Sequence, residues 1–163
     1  GPQAGIVVGK KASVITLLKH PLARALRVEK ITLAALSATL GSYLKNVAQE
    51  EIPIWRMIAA TEDGLSVRSR GWLAAIGGAD EAVTLRKTLS TVGGGSLPGQ
   101  TLPTVALALS VGDGAEHLAS RLRNSEPPVI GRIESESVIL DPRTVLPEED
   151  EQLITAVRSA LRG

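Results

Sequence analysis

The chain has 163 residues, of which 44% are hydrophobic and 21% charged, as is ordinary for a globular domain with its own core. It has no cysteine and no phenylalanine, which excludes disulfides and thiolate chemistry and leaves the core mainly to aliphatic side chains. The net charge of +1 gives no global signature of nucleic-acid binding, and no apolar run is long enough to cross a bilayer.

The first part of the chain predicts one strand and two helices. Gly5–Gly9 is a short apolar run bounded by glycines, which favours a buried strand. Lys10–Lys19 has a helical pattern that stops before Pro21, and Val28–Leu44 repeats that period with a broader apolar stripe. Pro21–Arg27 is expected to be a basic connection between the two helices.

The remainder predicts helices followed by a small sheet. Ile52–Ala60 and Gly64–Ile76 have helical patterns, and the second is expected to end at Gly77-Gly78. Two strands are predicted next, at Val83–Val92 and Thr104–Val111, followed by a helix at Gly114–Asn124 that Asp113 is expected to cap. A hairpin of Val129–Ile133 with Val138–Leu140 and a last helix at Glu148–Leu161 complete the chain. This order is typical of an α+β sandwich with helices on one face of a mostly antiparallel sheet.

Three regions are expected from these elements. Residues 1–27 hold one strand and one helix, which cannot bury themselves, and we expect them to end a larger domain. Residues 28–79 are expected to be linking and packing helices. Residues 80–163 are expected to form the small α+β domain.

The N-terminal run Gly1–Lys11 is the first candidate site, because Gly9-Lys10 follows a glycine-rich stretch. A phosphate loop needs a glycine, four residues and then Gly-Lys-Ser/Thr. Gly5 lies one residue too close and position 11 is lysine, so the pattern disfavours a phosphate loop. A core strand would explain the apolar residues.

The second candidate is the basic segment that contains Arg24, Arg27 and Lys30. In a helix, spacing by three places these side chains on one face, where they can share an anion. Guanidinium groups bind oxyanions through forked hydrogen bonds and stay charged at any working pH. The alternative is a basic face in contact with solvent.

The third candidate is Gly93–Gln100, where a run of three glycines followed by a serine and a proline predicts an irregular loop. Glycines allow a backbone to approach a ligand closely, although a plain connecting turn is the alternative. His20 and His117 are expected to be structural or solvated. Neither has a partner at metal-ligand spacing, so no metal site is predicted.

Taken together, these segments resemble bacterial selenocysteine synthase, the L-seryl-tRNA(Sec) selenium transferase family. The family has a Gly-Gly-Pro-Gln-Ala-Gly-Ile-Ile-Val-Gly-Lys-Lys stretch, a His-Pro-Leu-x-Arg-Ala-Leu-Arg-x-x-Lys stretch and a later Gly-Gly-Gly-Ser-Leu-Pro. The matching segments occur here in the same order: Gly1–Lys11, His20–Lys30, Thr32–Leu36, Gly93–Pro98, Leu102-Pro103 and Pro128–Arg132. Residues 46–92 match poorly.

The resemblance implies an α/β protein, a fold-type-I pyridoxal-phosphate transferase. This chain would carry the end of its large domain, a linking helix and the small α+β C-terminal domain. The family's cofactor lysine would lie upstream of Gly1, so no catalytic residue is expected in this chain and the fragment alone is expected to be inactive. Arg24 and Arg27 match arginines implicated in binding the selenium donor, and Gln3 is expected to contact the cofactor or the substrate.

The family reaction converts seryl-tRNA(Sec) to selenocysteyl-tRNA(Sec) with selenophosphate as donor. The resemblance therefore implies a cytoplasmic homo-oligomer with no membrane contact, whose grip on tRNA depends mainly on an N-terminal domain. Two alternatives remain: a related pyridoxal-phosphate lyase acting on a small amino acid or amino sugar acid, and a non-catalytic stand-alone domain. The sequence upstream of Gly1 would discriminate between them.

Overall fold

The computed structural model describes residues 1–77, 82–93 and 98–162. The chain forms two compact units, Gly1–Arg56 and Met57–Gly163. The first is helical in its described part, and the second combines a four-stranded sheet with helices. The protein is therefore of mixed helix and sheet class, as the sequence predicts.

The first unit contains short helices around one long helix. In chain order they are α1 (Lys11–Lys19), α2 (Leu22–Ala25), α3 (Lys30–Leu44), α4 (Ala48–Glu51) and the start of α5 (Pro53–Ala59). The predictions of α1, α3 and α5 are confirmed. The short helices α2 and α4 were not predicted, because four residues are too few to show a helical period.

The predicted strand at Gly5–Gly9 is wrong. Residues 1–10 have no regular secondary structure, and the apolar side chains of this run are exposed, Val8 to 90%. A strand is stabilised by hydrogen bonds to a neighbour, and the described residues of this unit supply none. An apolar run indicates that a segment favours burial, but it does not show which neighbouring strand would pair with it.

The helix α3 is apolar around much of its circumference, yet none of its residues is buried. Its exposed side chains include Ile31, Leu33, Leu40 and Leu44. A helix that is hydrophobic on several sides is normally surrounded by other elements. This surface is the main reason to expect further packing partners for the first unit.

The second unit begins with the helix α6 (Glu62–Ile76). Thr61 caps its N-terminus by accepting a hydrogen bond from the Gly64 amide at 3.2 Å. Gly77 ends it in the left-handed conformation, with φ of 88°, as the sequence predicts. This helix packs against the sheet and therefore belongs with it in one unit.

The sheet contains β1 (Val83–Thr91), β2 (Thr101–Leu109), β3 (Arg132–Glu134) and β4 (Ser137–Leu140) in the order β1-β2-β4-β3, with every pair antiparallel. Ser135 and Glu136, with φ of 49° and 59°, form the tight turn between β3 and β4. The predicted strands and the predicted hairpin are confirmed, with bounds shifted by a few residues.

The helices α6, α7 (Ala115–Arg123) and α8 (Asp150–Arg162) pack on one face of the sheet. They enclose an aliphatic core in which Trp72 is the only aromatic side chain. Its central members are at most 2% exposed: Trp72, Leu107, Leu109, Leu118, Leu122, Val138 and Val157. The predicted α+β arrangement, with helices on one face, is confirmed.

The predicted cap of α7 is wrong. Gly114, with φ of 95°, stands at the N-cap position, and no side chain caps this helix. The Asp113 carboxylate instead forms a salt bridge with Arg121, two turns along α7. The Asp113 carboxylate therefore binds the Arg121 side chain and not the free amides at the start of α7.

The opposite face of the sheet carries a smaller buried cluster, Ala106, Ala108 and Ile139. Arg86 and Arg132 make hydrogen bonds between strands along this face. No helix in the described part of the chain has the length and apolar character needed to span a membrane.

Candidate functional site

The basic segment lies at the junction of α2 and α3. Arg24 is in α2, which ends at Ala25; Arg27 lies in the following loop, and Lys30 is the first residue of α3. The three cations therefore do not share one helix face, and the spacing argument for a common anion site does not hold. Arg24 and Arg27 are exposed, and within the described residues neither side chain forms an ion pair or a hydrogen bond.

His20 has a structural role at the start of this segment. Its Nδ1 atom accepts a hydrogen bond from the Leu22 amide at 3.2 Å, which orders the turn around Pro21 into α2. This bond satisfies one of the free amides at a helix start. His117 is exposed on α7.

Gln3 lies in the irregular N-terminal segment and is exposed. Its side chain contacts no candidate group at hydrogen-bonding distance within the described residues. The structure therefore does not bring Gln3 together with Arg24 and Arg27 through direct bonds.

The residues of this chain do not fit pyridoxal phosphate by themselves. The cofactor needs an amine that is held beside it, and every lysine of the chain is exposed. Neither of the two cavities described below is lined by a lysine. Lys87, for example, forms a surface ion pair with Glu62. No catalytic step through the cofactor is assigned to these residues.

The glycine-rich loop connects β1 to β2. The Val92 amide donates to the Gln100 carbonyl at 3.1 Å and closes the hairpin. Gly99 has φ of 79°, which an L side chain rarely adopts. Residues 94–97 of the predicted loop lie outside the described residues, so its role as a ligand contact stays a prediction.

A buried polar cluster at one end of the sheet was not predicted. The Asp141 carboxylate accepts hydrogen bonds from Ser90 at 2.6 Å and Thr104 at 2.8 Å, and its neighbour Arg143 is only 6% exposed. Arg143 donates to the carbonyl groups of residues 57, 60 and 103 at 2.7–2.8 Å. Burial lowers the pKa of Arg143, and the Asp141 charge opposes that shift. Because the cluster satisfies its own donors and acceptors, its role is structural.

An aromatic cleft in the first unit was also missed. Tyr43 at the end of α3 and Trp55 in α5 line a cavity of about 410 Å³ together with Asn46, Ala48 and Gln49. The Trp55 indole NH donates a hydrogen bond to the Tyr43 hydroxyl. The available signal was composition, because two of the three aromatic residues of the chain lie within this short stretch.

A second cavity, of about 230 Å³, lies in the sheet unit. Pro128, Ile130, Thr144, Glu149 and Gln152 are among its lining residues. It contains none of the candidate residues from the sequence.

Comparison with known proteins gives a consistent result. Residues 1–146 match the family model described as SelA, L-seryl-tRNA selenium transferase. The chain is 41% identical over 168 residues to the L-seryl-tRNA(Sec) selenium transferase of Moorella thermoacetica, with all of this chain and 36% of that protein covered. It is 42% identical over 168 residues to the Geotalea daltonii protein of that name, with the same coverage. The protein of that name from Geobacter sulfurreducens is 42% identical over 163 residues, covering 97% of this chain and 35% of the relative.

Proposed function

Since the chain belongs to the L-seryl-tRNA selenium transferase family, we propose that it is the C-terminal part of an enzyme that converts seryl-tRNA(Sec) to selenocysteyl-tRNA(Sec). The observation that carries this proposal is the family match over residues 1–146, with relatives aligned along the whole chain. The chain spans about 36% of the length of those relatives, so the activity is proposed for the complete enzyme.

Pyridoxal phosphate is proposed as the cofactor of the complete enzyme, in which its ring would withdraw electrons from the bound serine. The exposed lysines described above offer it no anchoring site. We therefore expect residues 1–163 alone to be inactive. Gln3 is proposed to contact the cofactor from the N-terminal segment.

Arg24 and Arg27 are proposed to bind selenophosphate, the selenium donor. Such a small polyanion requires concentrated positive charge, and two arginines can supply forked hydrogen bonds to its oxygens. Both guanidinium groups are exposed and have no partner among the described residues, so neither must break an existing ion pair first. Because they do not share a helix face, the proposed clamp depends on the loop between α2 and α3.

The complete enzyme is proposed to be a cytoplasmic homo-oligomer. The exposed apolar side chains of α3 support further packing, either on the rest of the enzyme or on another subunit. The proposed division of the chain is residues 1–27 for the end of a large cofactor domain, residues 28–79 for linking and packing helices, and residues 80–163 for the small domain. Within the middle segment, α6 is a packing helix, because it lies against the sheet of the small domain.

The test is an assay of the complete enzyme with seryl-tRNA(Sec), selenophosphate and pyridoxal phosphate, followed by analysis of the amino acid on the tRNA. Selenocysteine on the tRNA is the expected product. Unchanged seryl-tRNA together with turnover of a free amino acid or amino sugar acid would favour the lyase alternative.

A further inference from the structure

We propose that the cleft between Tyr43 and Trp55 binds one unpaired nucleobase of the RNA substrate. This inference rests on the proposed function, because that function supplies the RNA. The inference assigns RNA binding to two residues, Tyr43 and Trp55, in a part of the chain for which the sequence predicted no tRNA contact. The cleft lies entirely within the unit Gly1–Arg56.

The first observation is the exposure of the aromatic rings. Tyr43 is 46% and Trp55 37% exposed, so part of each ring is accessible in this chain. Trp72 illustrates the contrast, with 2% exposure in the centre of the sheet unit. Exposed aromatic rings in a cleft are the usual stacking surface for unpaired bases.

The second observation is the polar lining of the cleft. Asn46 and Gln49 line the cleft and are exposed, and each side-chain amide carries both donors and an acceptor. Such a group can match the mixed donors and acceptors on the edge of a base. The cavity volume of about 410 Å³ is within the roughly 300–1,000 Å³ of small-ligand pockets.

The third observation is that the corner carrying the cleft is fixed before any ligand arrives. Asn46 has the left-handed φ of 60°, and its amide donates to the Tyr43 carbonyl at 3.0 Å. Ser42 donates to the Glu51 carboxylate at 2.8 Å and joins α3 to α4. A pre-ordered site loses less conformational entropy on binding than a mobile one.

The lining favours a base over a phosphate group. None of the five lining residues is charged, whereas phosphate recognition normally uses arginine or lysine. The binding energy would therefore come from stacking and amide hydrogen bonds. It follows that the contribution of this cleft should depend little on salt concentration.

The experiment measures binding of the cognate tRNA transcript to the complete holoenzyme by fluorescence anisotropy. Trp55→Leu should weaken binding about 5- to 150-fold, the fold-change that corresponds to loss of one base stack. Trp55→Phe retains an aromatic face and should stay within about threefold of the wild type. The slope of affinity against salt should be equal for wild type and Trp55→Leu, and wild-type affinity in Trp55→Leu would overturn the proposal.

Asn46→Gly is the matched variant for the amide, because glycine accepts the left-handed backbone without strain. It should weaken binding several-fold while circular dichroism stays unchanged. In the conversion assay, Trp55→Leu should raise KM for the tRNA and leave kcat unchanged. A decrease in kcat at the same KM would contradict a binding role.

Ultraviolet cross-linking of the wild-type complex provides a test that is independent of variant folding. A cross-linked peptide containing Tyr43 or Trp55 is expected. No cross-link there, which would result if another segment of the enzyme covers the cleft, overturns the proposal. If the transcript does not bind the wild-type enzyme at all, the proposed function fails as well. If the transcript binds the wild-type enzyme and Trp55→Leu equally, only the proposed base site fails.

Discussion

Asp141 and Arg143 bind the same hydroxyl group, that of Ser90. The Ser90 oxygen donates to the Asp141 carboxylate at 2.6 Å and accepts from the Arg143 Nε at 3.1 Å. The Asp141 carboxylate also caps the turn that contains Arg143 by accepting from its backbone amide at 3.0 Å. One short segment after β4 thus connects β1, β2 and the start of the sheet unit.

Arg143→Ala should destabilise the sheet unit by about 1–3 kcal/mol, because it leaves the carbonyl groups of residues 57, 60 and 103 without their hydrogen-bond donor. Hydrogen exchange of the β1 and β2 amides in the full-length protein measures the loss. Arg123→Ala, which removes an exposed arginine, should change stability by no more than about 0.5 kcal/mol. Equal exchange rates in both variants would show that the buried cluster contributes nothing.

Substitution by alanine should change the stability of the protein in opposite directions at Gly71, inside α6, and at Gly77, its C-cap. At Gly77, where φ is 88°, alanine should cost about 1–2 kcal/mol through backbone strain alone, since a Cβ atom at this position would meet no other atom within 4 Å. At Gly71, inside the helix and equally unobstructed, alanine should stabilise by about 0.5–1 kcal/mol. Thermal unfolding of the two variants should move the midpoints apart, and shifts of the same sign would contradict the assignment of the cap.

The pKa of Asp113 should lie below its usual range, chiefly because its carboxylate accepts hydrogen bonds from Arg121. A lowered pKa means that the pair stabilises the fold above the unfolded value of about 3.9, and that this contribution is lost as pH falls through the folded value. NMR titration of labelled aspartate carboxyls measures it. Arg121→Met should return the pKa towards normal, and Arg121→Lys should return it less far.

Arg24→Ala and Arg27→Ala in the complete enzyme should each reduce use of selenophosphate about 10-fold or more, as expected for loss of a charge-assisted contact. Binding of pyridoxal phosphate, followed by its absorbance, should change little. Lys19→Ala, which removes an exposed charge at the end of α1, is the matched control. Normal selenophosphate kinetics in both arginine variants would refute the proposed donor site.

Local patterns predicted much of the fold because they depend on near neighbours. The apolar period predicted α1, α3 and α6, the glycine at position 77 predicted a helix end, and apolar runs predicted the strands and the hairpin of β3 and β4. The Asp113 cap failed because its partner lies eight residues away in Arg121, beyond the reach of a capping pattern. The strand at Gly5–Gly9 failed because pairing depends on residues distant in sequence.

Less of the candidate site could be predicted. The basic residues were found from their charge, but their relative placement was not, because α2 ends between Arg24 and Arg27. The cleft of Tyr43 and Trp55 depends on how α3 and α5 are placed after the chain turns at Asn46. No local sequence pattern predicted the left-handed backbone of Asn46. Composition was the one clue, since aromatic residues are rare in this chain.

The fluorescence of Trp72 can report unfolding of the sheet unit. It is the only aromatic residue between Met57 and Gly163, and it lies among aliphatic side chains of the core. In the 163-residue chain carrying Trp55→Phe, all tryptophan emission would come from this one indole. A red shift of that emission would then report loss of packing between α6 and the sheet, without interference from the helical unit.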